Sequence, residues 1–345
     1  MLADPGIGKG ENMLLDIIVP HYKEPWSICK FLFDTLQTQR GISFDDIRVI
    51  VVNDGDGDWN QEIREQDCNL EYPFRTEVFV KEHEGVSAAR NFGLKKSNAD
   101  YVMFCDADDG FLNNYGLYVM LMAMKDEPDL IIPDFLEETR DVAGNYAVVK
   151  HDQDLTFMHG KCYKRKFLLK HDLLFDESMT LHEDGYFNMV VYSTAQHEGK
   201  IKPINTATYL WRWNGNSTVR RDKEDFVLRT YEDVMKTRIG ICRQFKQRGY
   251  EDDYIVAVCM TVLNSYYDFQ KTSYTEAKNA KHRKKAEKAF KAFWDEFKGT
   301  FLEQTNQKIA EIARVARENA YKNGMLYEQV ALKAFLKYIE YEVKA

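Results

Sequence analysis

The chain has 345 residues, 44% hydrophobic and 30% charged, with a net charge of −8; this is an ordinary globular composition, long enough for a large domain and a smaller one. The acidic balance argues against the whole molecule binding a polyanion, the absence of any run of ~18 apolar residues argues against a membrane span, and the start shows no basic region before an apolar core, so no signal peptide is expected. Six cysteines (Cys29, Cys68, Cys105, Cys162, Cys242, Cys259) lack CxxC spacing and suit a reduced, cytoplasmic setting.

Residues 1–12 read as a flexible lead-in. Gly6, Gly8 and Gly10 surround Lys9, but no strand precedes them and no Ser/Thr follows, so they are not a phosphate loop. Leu14–Pro20 predicts a strand. Ser27 offers an N-cap for a helix with Ile28, Phe31, Leu32 and Leu36 on one side. Buried strands are predicted at Ile47–Val52, Thr76–Val80, Tyr101–Cys105 and Asp129–Ile132, with a helix at Val86–Lys96. Strands alternating with helices predict an α/β fold with a mostly parallel sheet, covered on both faces. Ligands bind such sheets at the carboxyl ends of the strands. Those ends are Pro20-His21-Tyr22, Asn53-Asp54-Gly55 and Asp106-Ala107-Asp108-Asp109, all polar or turn-like.

Further on, residues 141–150 suit a hairpin, Lys164–His171 a short helix and Glu183–Gln196 a longer one, followed by strands at Ile201–Pro203 and Ala207–Trp213. From about Lys223 the pattern is helical, with helices at Tyr254–Gln270, Lys281–Phe297, Lys308–Tyr321 and Tyr327–Tyr341. The expected division is therefore a lead-in over 1–12, an α/β domain over 13–222 and a helical domain over 223–345. Charge is uneven: from Lys271 onward 16 Lys/Arg face 10 Asp/Glu, leaving 31 against 45 in the rest. A basic tail of this kind marks either a solvated helical face or a surface for an anionic partner.

The chemistry concentrates where the apolar run Tyr101–Cys105 stops in Asp106, Asp108 and Asp109. If strand alternation continued, Asp106 and Asp108 would point the same way. Hard oxygen ligands gathered there suit Mg²⁺ or Mn²⁺; the same residues also make an acidic turn.

Four segments in order, Val51–Asp56, Gly85–Gly93, Asp106–Asp109 and Glu183–Phe187, together resemble the family 2 glycosyltransferases, inverting enzymes of GT-A fold that use nucleotide-sugar donors. The resemblance covers about residues 14–220. It implies that Asp54 meets the donor's base or ribose, with Pro20 and Tyr22 beside it. Where the family has two aspartates and a serine, this chain has Asn53 and Asp56 at the first and last places, which leaves the base open among uracil, the first choice, thymine and guanine. Arg90 and Asn91 match the family's donor-site pair; Arg90 could instead brace the Asp106 loop. Asp106 should contact ribose or metal, Asp108 should ligate a divalent metal (Mn²⁺ or Mg²⁺), and Asp109 is a third member.

An acceptor hydroxyl must lose its proton as the new bond forms. The resemblance assigns that to Asp184, with Glu183 beside it; the bland alternative is a pair of acids at a helix start. Residues 159–165 match the segment shaping the acceptor pocket, so His159 belongs there, and His182 precedes the base. Residues 211–220 match the segment that folds over the diphosphate, where Arg212, Arg220 or Arg221 would neutralise phosphate. Trp211 and Trp213 would share one face, for a sugar ring or for the core.

Two other classes compete. A nucleotidyltransferase would carry a Gly-rich signature after the first strand, where this chain has Pro20–Pro25. A non-catalytic scaffold would be marked by loss of Asp108 or Asp184, and both are present. The expected partners are a nucleotide-sugar donor and a glycan or lipid-linked acceptor; the basic tail leaves open docking on nucleic acid to glycosylate a modified base.

Overall fold

The computed structural model describes residues 13–55, 72–141, 143–215, 226–322 and 325–344. The chain divides into two compact units between Asn214 and Gly215. The sequence places that boundary after residue 222, in a stretch outside the described residues.

The first unit begins with β1 (Leu15–His21), α1 (Trp26–Gln37), β2 (Ile47–Asn53), β3 (Arg75–Val80), α2 (Val86–Lys96) and β4 (Tyr101–Phe104). β1, β2 and β4 are buried almost throughout, because a parallel strand covered on both faces has no polar side. β2 pairs with β1 and β3, and β4 with the other edge of β1, all parallel. Asp16 and Arg48 are directly opposed, and a buried two-point ion pair of 2.9 and 2.7 Å joins them. A one-residue slip would leave both charges buried without a partner, so the pair specifies the register.

The chain continues with β5 (Gly110–Phe111), α3 (Gly116–Met124), β6 (Leu130–Arg140), β7 (Tyr146–His151), β8 (Cys162–Lys164), α4 (Arg165–Lys170), α5 (Glu183–Glu198) and β9 (Ile201–Trp211). Among the described residues the sheet order is β3-β2-β1-β4-β8-β6-β9-β5, with β7 on β6. β8 runs antiparallel between β4 and β6, so the sheet is parallel on one side of β4 and mixed beyond it.

Four details differ from the sequence reading. Helix α1 starts at Trp26 with Pro25 in the capping place (φ −66°, ψ 150°), and Ser27 lies inside the first turn; proline's fixed φ ends the incoming segment without a side-chain cap. The fourth strand stops at Phe104, so Asp106 and Asp108 belong to a turn and strand alternation does not apply to them. The two strands expected over 201–213 form the single strand β9, whose pairing with β6 shifts register between Pro133 and Phe135: Ile204 faces Pro133, Ala207 faces Asp134 and Tyr209 faces Phe135. The last helix begins at Leu332 rather than Tyr327; the amides of Gln329 and Val330 instead donate to the buried Gln270 side chain.

The second unit is helical: α6 (Phe226–Arg229), α7 (Tyr231–Arg248), α8 (Glu251–Asp268), α9 (Thr272–Thr275), α10 (Ala280–Leu302), α11 (Asn306–Lys322) and α12 (Leu332–Tyr341). Phe290, Phe293, Phe297 and Phe301 of α10 are buried. On its opposite side Lys281, Lys284, Lys285 and Lys288 recur at i, i+3, i+4 and i+7, all exposed. Among the described residues no helix is long and apolar enough to cross a membrane.

Close packing behind the site sets a test. A Cβ on Gly93 would stand 2.4 Å from Ile18 Cγ2, whereas one on Gly299 of α10 would meet nothing within 4 Å. Gly93→Ala should cost about 1–3 kcal/mol in urea unfolding. Gly299→Ala should stabilise by up to about 1 kcal/mol, because it only removes glycine from a helix interior.

Candidate active site

Helix α2 starts tightly against the sheet. Gly85, at φ +96°, has the left-handed-side backbone that favours glycine and lets the helix begin at once after the loop. One and a half turns later Arg90 is buried, 3% exposed. Its guanidinium joins three carboxylates: Nη1 donates to Glu183 Oε1 (2.9 Å) and Asp184 Oδ1 (2.6 Å), and Nη2 to Asp106 Oδ1 (3.0 Å). The sequence alternative in which Arg90 braces the Asp106 loop is the arrangement seen.

Asp184 lies in the first turn of α5, whose cap, His182, is held in the left-handed region at φ +62°, ψ 16°, strain of a kind that collects at functional sites. Its other oxygen accepts from the Met158 amide at 3.2 Å. Burial pushes the Asp184 carboxyl up to about 8; Arg90 works against this, while Glu183 and Asp106 add to it. One guanidinium cannot balance three carboxylates, and burial together with the neighbouring Glu183 and Asp106 favours a proton on Asp184. Asp106, for which Arg90 outweighs burial, is held below its ordinary range.

After β4 the chain turns back through an Asp109 amide to Asp106 carbonyl bond of 3.2 Å. Asp109 is fully buried; it accepts from the Tyr209 hydroxyl (2.8 Å) and the Arg212 amide (2.9 Å). Burial, with Asp108 and Asp106 nearby, raises its carboxyl well above the usual range. Ligand atoms of Asp106, Asp109 and His159 all lie within 4.8 Å of one another. Burial drives His159 down to about 3, so its imidazole is neutral, and its Nε2 is buried with no hydrogen-bond partner among the described residues. Two carboxyl groups and a neutral imidazole are a donor set that could hold a metal ion. Asp108 is outside this group: half-buried, it accepts from Asn214 Nδ2 at 2.8 Å.

The acceptor-pocket candidates divide. Trp211 lies 4.8 Å from both His159 and Phe157, and Tyr209 stacks on His159 at 5.2 Å. Trp213 lies past the end of β9, with the Arg140 guanidinium 5.6 Å over its ring and its amide donating to Glu138. Arg212 lays its guanidinium 3.8 Å over Phe31 and reaches the Asp108 carbonyl at 3.5 Å. Lys161 is buried, its ammonium donating to Phe157 O at 2.5 Å, and burial lowers it to about 8.

At the other end, Asp54 is 2% exposed and has a full set of donors. Oδ1 accepts from Lys81 Nζ (2.8 Å) and the Glu84 amide (3.1 Å); Oδ2 accepts from His83 Nδ1 and the Gly85 amide, both 2.8 Å. Burial alone would raise this carboxyl, and the Lys81 bond and backbone amides outweigh it, so it stays ionised. Tyr22 stacks on His83, centroids 4.0 Å apart, and Pro20 is half-buried within β1, in register with Val52. Asn91 is buried, its amide bonded to Phe175 O and Glu177 Oε1 and its carbonyl accepting the Phe175 amide. Its side chain thereby holds the loop before α5. Asp56, Arg220 and Arg221 lie outside the described residues.

Sequence reasoning passed over Lys81, His83 and Tyr209. The first two directly precede the Gly85 segment, and Tyr209 shares strand alternation with Trp211, so each had a readable signal.

A sheet parallel from β3 to β4 and mixed beyond, with an aspartate turn at the end of β4 and a helix-starting acid pair beside it, has the architecture of a GT-A type glycosyltransferase domain. Residues 16–183 match the family model described as Glycosyl transferase family 2, and the chain carries a glycosyltransferase domain of that family. An uncharacterized glycosyltransferase of Bacillus subtilis (strain 168), EpsJ, is 26% identical over 224 residues, covering 59% of this chain and 62% of EpsJ; the chain thus spans less than two thirds of that relative. Among solved structures, S. aureus TarS 1-349 in complex with UDP-GlcNAc is 18% identical with TM-score 0.57, covering 91% of this chain and 93% of TarS 1-349. The mannosyltransferase PcManGT from Pyrobaculum calidifontis, in complex with GDP-Man and Mn²⁺, is 13% identical with TM-score 0.51, covering 96% and 88%. At such identities the two structures establish the fold.

Arg90 provides the test of the cluster. Arg90→Ala leaves three carboxylates without a cation and should cost about 3–5 kcal/mol. Their folded-state pKa values would rise, so the deficit in urea unfolding should be largest at pH 8 and shrink as pH falls and they take up protons.

Proposed function

We propose that this chain moves a sugar from a nucleotide-diphosphate donor to an acceptor hydroxyl with inversion, Asp184 acting as general base. The observation that carries this reading is the Arg90 bridge: one guanidinium holds Asp106, on the turn facing the donor, and Asp184, at the start of α5. Inversion needs the base on the sugar face opposite the departing diphosphate, and two carboxylates fixed through one rigid fork meet that need. The acceptor oxygen attacks the anomeric carbon, the bond to diphosphate oxygen breaks, and the proton passes to Asp184. Glu183 shares Arg90 and holds the start of α5 in place. UDP is the preferred nucleotide, as in the ligand of the S. aureus neighbour.

A divalent cation, Mn²⁺ or Mg²⁺, would be held by Asp106 and Asp108, with His159 behind them. When bound it offsets the charge gathering on the leaving diphosphate. Asp106 and Asp108 are the turn's half-exposed carboxylates, reachable by a donor, whereas both oxygens of Asp109 are engaged by Tyr209 and Arg212. Phe157, His159 and Trp211 form the aromatic wall next to Asp184, suited to the apolar face of a glycan or of a lipid-linked sugar. The free, buried cysteines among the described residues favour a cytoplasmic setting.

Direct Mn²⁺ titration followed by electron paramagnetic resonance separates the ligand sets. Asp108→Ala should weaken Mn²⁺ binding at least tenfold. If Asp108→Ala binds normally while His159→Ala does not, the Asp106–Asp109–His159 group is the site instead.

The base has its own signature. Only ionised Asp184 accepts a proton, so kcat/KM should rise with pH and level off above about 8. Asp184→Asn should keep nucleotide affinity within about threefold while transfer falls at least 10³-fold, measured across a panel of nucleotide sugars. An active Asn variant places the base elsewhere, and no turnover by the parent chain on any donor would leave a binding protein.

A further inference from the structure

His83 sits where the loop after β3 meets the ends of β1 and β2. Its Nδ1 is 2.8 Å from Asp54 Oδ2 and 3.1 Å from the Asp54 carbonyl. Both are acceptors, because the carboxylate is ionised, so Nδ1 carries the hydrogen. A neutral imidazole with its hydrogen on Nδ1 has a lone pair on Nε2, on the ring edge away from the carboxylate. Stacking on Tyr22 at an interplanar angle of 12° fixes the ring's plane, and the side chain is 51% exposed. In the neutral ring the Asp54 contacts select this tautomer, and stacking and exposure set the plane and access.

Asp54, in contrast, has two oxygens and four donors on them, which fills a carboxylate's usual capacity. It can take a nucleobase N–H only by releasing the loop that it holds.

Resting on the donor reading above, we propose that His83 is the residue that selects the nucleobase, with Nε2 accepting the ring N–H of a base such as uracil, while Asp54 positions His83. Thymine and guanine carry an equivalent N–H. Cytosine and adenine present a lone pair at the corresponding ring nitrogen, and two facing lone pairs exclude them. Selection therefore comes from a repulsive element as well as an attractive one. Lys81 takes part indirectly, by holding the Asp54 oxygen that His83 does not use.

The test is calorimetric binding of UDP, CDP and 3-methyluridine 5′-diphosphate to the full chain with Mn²⁺. The parent protein should favour UDP over both others by about five- to tenfold, the scale of one hydrogen bond. His83→Ala should bring the three within about twofold of one another, mainly by weakening UDP, with Mn²⁺ affinity and circular dichroism unchanged. A His83→Ala protein that keeps the UDP preference overturns the assignment, as does a parent protein that binds the methylated nucleotide as well as UDP. A parent protein that binds none of the three, nor GDP or dTDP in the same assay, overturns the donor reading itself.

Discussion

The site is organised around one buried cation. Arg90 takes its position from a helix that starts tightly against the sheet, and it holds the turn after β4 and the first turn of α5 together. Withdrawing a guanidinium and three carboxylates from water is costly, and such clusters serve conformational specificity more readily than stability. Here the specificity is spatial: two segments far apart in sequence meet at fixed distances only because the same planar fork bonds to both. Burial and the excess of carboxylates over the cation together raise the Asp184 carboxyl, so the cluster favours a proton there.

The order of the strands gives this cluster its two sides. β1, β2 and β3 lie parallel on one side of β4, and their ends carry Tyr22, Asp54 and His83. The antiparallel β8 starts the other side, which supplies His159 and the Tyr209–Trp211 wall. A purely parallel sheet would bring more loops of the first kind. The switch of direction after β4 instead introduces a differently built wall directly beside the aspartate turn.

Much of this was legible in the sequence, for identifiable reasons. The buried strands β1, β2 and β4 are nearly continuous apolar runs, and α2 appeared at its observed bounds because Gly85 and Ser97 flank it. The aspartate turn stood out because an apolar run ends there in three carboxylates, and the Glu183–Asp184 pair stood out through the family resemblance. What stayed hidden depends on three-dimensional neighbours. β8 has three residues, too few for any period to show. Pro25 takes the place that Ser27 advertised, because capping can be supplied by backbone geometry alone. Sequence places Asp54 at a strand end but cannot reveal that four donors already surround it. Nor can it show that Asp109, rather than Asp108, is the fully buried member of the turn.

The register shift in β9 has a consequence for how such proteins diverge. Residues between Ile204 and Ala207 lie outside regular pairing with β6, and irregular strand residues of this kind re-aim the side chains that follow. Adding one residue there would exchange Tyr209 and Trp211 for Thr208 and Leu210 on the wall beside His159, and removing one would bring Leu210 and Arg212, because strand side chains alternate. The Asp106 turn would lose its Tyr209 contacts, while Asp106 and Asp184 would keep their anchor on Arg90. Short insertions and deletions at this point are thus a route by which a lineage could remodel this aromatic wall while inheriting the Arg90 cluster.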